Sequence, residues 1–168
     1  MDVFDSIVVV QSSAIWVELH KEIIKEALVD VMSTDAKLIW RQALSRLNQD
    51  GSGEIKGFGE NLMVDNKECK DETQKEMPIV VLENDIKYEI QPKDGQKTGF
   101  YCDQRDNRQF VRNISEGKDV LDTYCYSGGF SISAALGGAK RVVAVDSSAA
   151  AISAALANLK LNDTPIQA

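Results

Sequence analysis

The stretch that decides the fold runs from Val120 to Phe130 and reads Val-Leu-Asp-Thr-Tyr-Cys-Tyr-Ser-Gly-Gly-Phe. It begins as a short apolar segment, passes through Asp122 and reaches two adjacent glycines, Gly128 and Gly129. A strand followed by a glycine turn and a helix brings the backbone close to a ligand, because the first amides of a helix lack intrahelical partners. The pattern therefore predicts a nucleotide-like ligand site where the strand, the turn and the helix meet.

The residues that follow continue this alternation of helix and strand. Small residues after Gly129 predict a helix that reaches about Leu136. Residues 141–145 are nearly all apolar, which predicts a parallel strand that is buried on both faces. An alanine-rich helix over residues 149–161, capped by Ser147 or Ser148, comes next. This order of elements predicts the beginning of a doubly wound α/β sheet.

Charge indicates which ligand would suit the turn. Asp122 stands at the carboxyl end of the first predicted strand, and Asp146 stands at the end of the second. The turn lacks the G-x-G-x-x-G of dinucleotide sites and the Lys-Ser/Thr of phosphate loops, and a carboxylate there would repel a pyrophosphate. S-adenosylmethionine carries a sulfonium and an ammonium group and no phosphate, and an acid after the second strand can accept its ribose hydroxyls. The alternative is that the glycines form a simple turn and Asp146 caps a helix.

The composition restricts the class of protein. The chain has 168 residues, 43% of them hydrophobic and 27% charged, which is typical of a globular protein. Its net charge of −7 makes it a poor nucleic-acid binder on its own. No long apolar run occurs, so we expect no membrane-spanning helix. The acidic N-terminus, Met1 to Asp5, predicts a cytoplasmic location, or an organellar matrix if an N-terminal extension is missing.

Two sequence features argue against a metal site. The three cysteines (Cys69, Cys102 and Cys125) are widely spaced and contain no C-x-x-C pair, so neither zinc nor a disulfide framework is expected. Asn48 to Ile55 resembles the first eight positions of an EF-hand loop. The first position is Asn and the twelfth is Gly59, where the loop needs a bidentate Glu, so calcium binding is not expected.

The N-terminal half predicts a small α+β arrangement. Residues 6–11 predict a strand, and Ser12 or Ser13 then caps a helix over residues 14–32. Residues 37–40 predict a short strand, and residues 48–77 predict loops. The apolar positions that recur at helical spacing, and that we expect to face the core, are Ile15, Trp16, Leu19, Ile23, Ala27 and Val31.

A hairpin is predicted over residues 79–90. Two β-branched runs flank Asn84 and Asp85, and both of these residues tolerate the left-handed conformation that a tight hairpin turn requires. No internal repeat is visible along the chain.

One further segment carries a family resemblance. Lys97 to Arg108 reads Lys-Thr-Gly-Phe-Tyr-Cys-Asp-Gln-Arg-Asp-Asn-Arg, and it precedes the Ser-Gly-Gly-Phe turn and the segment Val145-Asp146-Ser147-Ser148. Together these residues resemble the large-subunit ribosomal RNA cytosine-C5 methyltransferases. Those enzymes use S-adenosylmethionine and have an N-terminal PUA domain, a central α+β domain and a Rossmann-like catalytic domain. The resemblance implies that residues 1–95 form the central domain and that residues 96–168 begin the catalytic one.

The resemblance also implies a set of cofactor-binding residues. Arg105 would pair with the methionine carboxylate, and Asp146 would hold the ribose. The full set is Phe100, Gln104, Arg105, Asp122, Tyr124, Ser127, Gly128, Gly129, Asp146 and Ser147. Arg108 and Arg112 lie on the same predicted helix, where either a solvated helix face or an RNA contact would explain them.

Other parts of the family pattern are absent from the sequence. The family's chemistry uses a cysteine thiolate that attacks C6 of the cytosine and an Asp-Pro-Pro-type loop. None of the prolines lies in such a loop, none of the cysteines matches the nucleophile, and no PUA segment is present. We therefore expect a fragment of a ribosomal RNA methyltransferase that is inactive alone, with no catalytic residue in this chain. The alternatives are a non-catalytic cofactor-binding or interaction module that forms a homodimer through an exposed sheet edge, and a methyltransferase acting on a small molecule or a protein.

Overall fold

The computed structural model describes residues 1–32, 37–49, 62–64, 79–92 and 95–164. The chain divides into two compact units, one made of residues 1–77 and 91–100 and the other of residues 78–90 and 101–168. The predicted hairpin thus belongs to the second unit, although it precedes position 95, where the sequence suggested a division. That division itself stays a prediction. Among the described residues, no helix has both the length and the apolar character that crossing a membrane requires.

The first unit contains a mixed four-stranded sheet with helices between its second and third strands. The order in the sheet is β1-β2-β3-β4, and the β2–β3 pair is parallel. The elements are β1 (Asp2–Phe4), β2 (Ile7–Ser12), α1 (Ile15–Leu19), α2 (Lys21–Val31), β3 (Lys37–Gln42), α3 (Leu44–Gln49) and β4 (Leu62–Val64). The predicted strands over residues 6–11 and 37–40 are confirmed, whereas β4 falls in a segment predicted to be loops.

The predicted N-terminal helix is correct in position and wrong in two details. It is divided at His20 into α1 and α2, and its cap is Ala14, which makes no side-chain capping bond. The predicted cap at Ser12 or Ser13 is wrong, because Ser12 is the last residue of β2 and is buried there, and Ser13 precedes the cap residue Ala14.

The predicted buried face of this helix is also wrong. Trp16, Leu19 and Ile23 are each more than 60% exposed, and Val31 is 83% exposed. The residues that pack against the core of β2 and β3 are Val17, Ile24, Leu28 and Met32.

The reason for this difference lies on β3. The indole N–H of the fully buried Trp40 donates to Glu18 Oε1 at 2.9 Å, and the Lys21 ammonium lies 5.4 Å from the centroid of the Trp40 ring. Because of both contacts, the side of the helix that carries Glu18 and Lys21 faces the sheet. A cation above an aromatic face is stabilised by the ring quadrupole, so the charged residue is accepted against the core. Burial lowers the pKa of Lys21.

The second unit has the predicted order of strand and helix. Its elements are β5 (Ile79–Glu83), β6 (Ile86–Ile90), α4 (Arg105–Ile114), β7 (Asp119–Thr123), α5 (Gly129–Leu136), β8 (Arg141–Val145) and α6 (Ala149–Leu161). Strands β5 and β6 form the predicted hairpin, with Asn84 and Asp85 in the left-handed conformation. Strands β7 and β8 are parallel, and Ser148 caps α6 by accepting the Ala151 N–H. The α/β fold predicted from the sequence is confirmed.

Strand β8 is not buried on both faces, contrary to the prediction. Val143 and Val145 are 43% and 49% exposed, and Leu121 on β7 is 65% exposed. Helix α5 packs against both strands, and among the described residues neither strand pairs with a third one. An apolar strand sequence is compatible with packing on both faces of the sheet, but it does not determine whether other elements cover both faces.

Arg108 forms a buried ion pair, which overturns both sequence interpretations of this residue. Its guanidinium donates from Nε and Nη2 to the two carboxylate oxygens of Glu83, each at 2.7 Å, and also to the Tyr101 carbonyl at 3.0 Å. Arg108 and Glu83 are both buried. Arg108 is therefore neither a solvated surface residue nor positioned to contact RNA. The two-pronged geometry satisfies charges that would otherwise be costly to bury.

We expect Arg108→Ala to lower the free energy of unfolding by about 3–5 kcal/mol, because it leaves the Glu83 carboxylate buried without its main partner. Arg105→Ala is the matched control, since Arg105 Nε approaches the same carboxylate at 3.6 Å from a side chain that is 63% exposed. That variant should lose less than about 1 kcal/mol. Urea unfolding followed by circular dichroism measures both variants. Equal losses would contradict the distinct role of the buried pair.

Candidate functional site

The two predicted acids lie at neighbouring strand ends. Asp122 pairs in register with Ala144 of β8, and Asp146 directly follows β8. Because the strands are parallel, their carboxyl ends meet at one edge of the sheet, where ligands of open α/β sheets bind. The turn from β7 to α5 starts at this same edge, so the acids and the glycines come together as the sequence predicts.

Asp146 holds the turn and the next helix in place. Its Oδ1 accepts the Ser148 N–H and its Oδ2 accepts the Tyr126 N–H, both at 2.9 Å. These backbone amides lower the pKa of Asp146, Ser148 and then Tyr126 making the largest contributions. A carboxylate oxygen has more than one lone pair, so each can still accept a further hydrogen bond from a ligand.

Asp122 is in a different environment. Burial raises its pKa, while hydrogen bonds from the side chain and the backbone of Ser131 oppose that rise. The Ser131 hydroxyl donates to Asp122 Oδ2 at 2.6 Å, so the carboxylate also lies at the N-terminal turn of α5. The negative charge of Asp146 raises the pKa of Asp122 further. A cation bound beside Asp122 would stabilise its ionised form, because opposite charges lower a carboxyl pKa.

The turn itself has a strained backbone. Tyr124, Tyr126 and Gly128 all have positive φ, at 62°, 49° and 80°. A left-handed conformation costs about 1 kcal/mol or more at a residue that is not glycine, and it persists where the surroundings hold it. Between the tyrosines, the Cys125 N–H donates to the Val145 carbonyl at 3.0 Å and ties the turn to β8. The Tyr124 side chain, by contrast, is 87% exposed.

The glycines of the turn pack against two helices. A Cβ at Gly128 would lie 3.0 Å from the Ala155 Cβ on α6. A Cβ at Gly129 would lie 3.1 Å from the Arg108 Cδ on α4. The glycine pair thus permits the turn to approach both helices more closely than larger residues would allow.

The remaining predicted site residues lie on other segments. Gln104 ends a short 3₁₀ helix and accepts a hydrogen bond from the Asn107 amide at 2.9 Å. Arg105 begins α4, where its guanidinium lies near Glu83. Ser147 is exposed beside Asp146. Phe100 is buried and is the last residue of the first unit.

Several residues that shape the site escaped the sequence analysis. The Tyr101 ring lies edge-on to the Tyr126 ring with 5.6 Å between centroids, which links the segment before α4 to the turn. Ser131 and Asn158 bond to Asp122 and to the Ser127 carbonyl, respectively. The sequence did contain a signal for Asn158, because asparagine is unfavourable inside a helix and a buried side-chain amide needs hydrogen-bond partners.

The segments considered as metal sites in the sequence are described only in part. The EF-hand-like segment from Asp50 onward and Cys69 lie outside the described residues. Within the described ranges, no group of three or more His, Cys, Asp or Glu side chains could hold a metal ion.

Comparison with known proteins identifies the family. Residues 67–167 match the sequence profile of S-adenosylmethionine-dependent methyltransferases. The chain is 50% identical over 86 residues to ribosomal RNA large subunit methyltransferase I of Aeromonas hydrophila, covering 51% of this chain and 22% of that protein. It is 33% identical over 169 residues to the protein of the same name from Vibrio vulnificus, covering 99% of this chain and 39% of that protein. The chain thus spans two-fifths or less of the length of these relatives.

A solved structure shares the fold. The chain superimposes with a TM-score of 0.77 on a Streptococcus mutans protein described as a SAM-dependent methyltransferase, at 23% identity. The superposition covers 97% of this chain and 38% of that one.

We expect Gly128→Ala to destabilise the protein more than Gly117→Ala does. Both glycines have positive φ, so both variants should lose about 1 kcal/mol through backbone strain. Only Gly128→Ala would also press a methyl group against Ala155, because no atom lies within 4 Å of a Cβ built at Gly117. Thermal unfolding of the two variants measures the difference. Equal losses would show that α6 moves aside without cost.

Proposed function

Because this chain belongs to the family of S-adenosylmethionine-dependent methyltransferases, we propose that it holds S-adenosylmethionine at the carboxyl ends of β7 and β8. The observation that carries the proposal is the pair of acids at neighbouring strand ends, next to a glycine turn that lacks the motifs of phosphate-binding loops. When bound, the cofactor supplies an electrophilic methyl group on a sulfonium centre.

Asp146 is proposed to accept the ribose hydroxyls. Its two backbone hydrogen bonds fix the plane of the carboxylate before a ligand arrives, and this reduces the entropy lost on binding. Ser147 follows directly and is proposed to lie beside the nucleoside.

Asp122 and the turn are proposed to face the methionine end of the cofactor. Burial and the charge of Asp146 raise the pKa of Asp122, and the ammonium and sulfonium groups of the cofactor would provide positive charge there. The turn would contribute mainly backbone groups and the exposed ring of Tyr124. The turn residues proposed to contact the cofactor are Tyr124, Ser127, Gly128 and Gly129.

Three roles depend on the resemblance to the ribosomal RNA enzymes. Arg105, whose side chain is 63% exposed, is proposed to pair with the methionine carboxylate. Gln104 is proposed to line the pocket, and for Phe100 the resemblance implies packing near the adenosyl or methionine moiety.

For the complete protein, we propose large-subunit ribosomal RNA as the substrate and C5 of a cytosine as the methylated atom. Support comes from the names of the relatives and from the Lys97–Arg108 segment. This reaction needs a cysteine thiolate. Cys125 is unsuited to that role, because burial raises the pKa of its thiol and the nearby Asp122 and Asp146 raise it further. We therefore propose that the 168 residues bind the cofactor but do not transfer a methyl group unaided.

The second candidate is an interaction module that forms a homodimer. Leu121, Val143 and Val145 are exposed apolar residues on the β7–β8 sheet, which has no third strand among the described residues. Open strand edges of this kind can pair with another chain. This candidate requires no chemistry from the chain.

Asp146→Ala should weaken the binding of S-adenosylmethionine about tenfold or more, since it removes a charged acceptor of the ribose hydroxyls. Asp119→Ala is the control, because Asp119 is an exposed acid at the opposite end of β7 that pairs with Arg141 at 3.4 Å. Isothermal titration calorimetry on the folded variants gives both affinities. Unchanged affinity in Asp146→Ala would overturn the assignment of the pocket.

Incubation of the chain with cofactor labelled on the methyl group and with a large-subunit ribosomal RNA transcript tests the substrate. We expect cofactor binding without transfer of the label, because the buried Cys125 is unsuited as a nucleophile and the sequence has no Asp-Pro-Pro-type loop. Label recovered as 5-methylcytosine would support the substrate and contradict the inactivity of the isolated chain. A dimer that binds no cofactor would favour the interaction module.

A further inference from the structure

Two asparagines, Asn158 of α6 and Asn162 at the C-cap of that helix, cover the edge of strand β6. Asn162 accepts the Lys87 N–H at 2.8 Å and donates to the Lys87 carbonyl at 2.6 Å. Asn158, one helical turn earlier, accepts the Glu89 N–H at 2.6 Å and donates to the Glu89 carbonyl at 3.5 Å. Alternate residues of a strand present their backbone groups at the same edge, so two amides at i and i+4 can replace a neighbouring strand.

Asn158 differs from Asn162 in where its further hydrogen bond goes, since Asn162 Nδ2 donates to the Asn158 carbonyl at 2.8 Å and thus stays within the helix end. The Asn158 Nδ2 also donates to the carbonyl of Ser127 at 3.1 Å, and its side chain is fully buried. One amide therefore connects the strand edge to the proposed cofactor turn. The side-chain amide has one acceptor oxygen and two donor hydrogens, and these partners, one N–H and two carbonyls, match that set.

The contact fixes a single peptide plane. The peptide between Ser127 and Gly128 consists of the Ser127 carbonyl, which accepts from Asn158, and the Gly128 N–H, which donates to the Cys125 carbonyl at 2.8 Å. With both polar groups bonded, rotation of this plane would break two hydrogen bonds. Gly128 is also the left-handed residue that precedes α5, so the plane sets the direction in which the first amides of α5 point.

We infer that Asn158 is a positioning residue for cofactor binding, which it serves by holding the Ser127–Gly128 peptide in the orientation the ligand requires. It does not itself touch the cofactor. The inference rests on the proposed function, since it assumes that the turn is where S-adenosylmethionine binds. Asn162 makes the same kind of hydrogen bonds to the strand edge but none to the turn. Comparing the two residues therefore distinguishes an effect on stability from an effect on the cofactor turn.

The test compares Asn158→Ala with Asn162→Ala in the 168-residue chain, by calorimetric titration with S-adenosylmethionine and by urea unfolding. Both variants should lose stability, because each exposes unpaired groups at the edge of β6. The affinity of Asn158→Ala should fall about tenfold, whereas that of Asn162→Ala should stay within about twofold of the original. An equal effect of the two substitutions on affinity would overturn the inference.

Two further measurements keep the outcome decisive. If Asn158→Ala does not fold, Asn158→Leu, which fills the space without an amide, is titrated instead with the same expectation. An unaltered chain that binds S-adenosylmethionine, together with Asn158 variants that bind it equally well, would overturn the positioning role alone. A chain that does not bind the cofactor at all would overturn the proposed function and this inference with it.

Discussion

The turn between β7 and α5 must keep three residues in the left-handed backbone conformation, and much of the second unit provides contacts that hold it there. Asp146 binds the Tyr126 amide, Cys125 bonds to β8, and Asn158 holds the Ser127 carbonyl. Helix α6 lies close beneath Gly128. No single contact among these is strong in water, but together they determine one geometry.

The charges of the second unit have two distinct roles. The Arg108–Glu83 pair is buried, and its two charges neutralise each other within the fold. Asp122 and Asp146 instead stand at an open sheet edge. Each accepts hydrogen bonds from backbone or hydroxyl donors, and neither forms a salt bridge with a cationic side chain of the described residues. Carboxylates without such a partner can still accept bonds from a ligand, which is why the proposed site is built on the acids rather than on Arg108.

The exposed apolar side chains of β7 and β8 reflect the small size of their sheet. A two-stranded parallel sheet covers little of its own surface, and no third strand joins it among the described residues. Parallel sheets are found with both faces covered, so Leu121, Val143 and Val145 occupy positions where further structure would be stabilising.

Local order was predictable from the sequence. The hairpin at Asn84-Asp85, the helix cap at Ser148 and the strand–turn–helix at Asp122 to Gly129 all depend on neighbouring residues, whose conformational preferences are independent of distant contacts. The placement of both acids at one sheet edge followed as well, because parallel strands align their ends. The roles of the individual residues in binding a cofactor stay predictions.

Other features were decided by tertiary structure. The helix of the first unit carries two apolar stripes, and Trp40, far along the chain, determines which one is buried. Arg108 has the sequence context of a surface arginine, and it is buried because Glu83 of the hairpin meets it. Asn158 bonds to Glu89 and Ser127, neither of which is near it in sequence. The sequence by itself determined most of the elements and where the acids stand, whereas partners distant along the chain decided which side chains those elements bury.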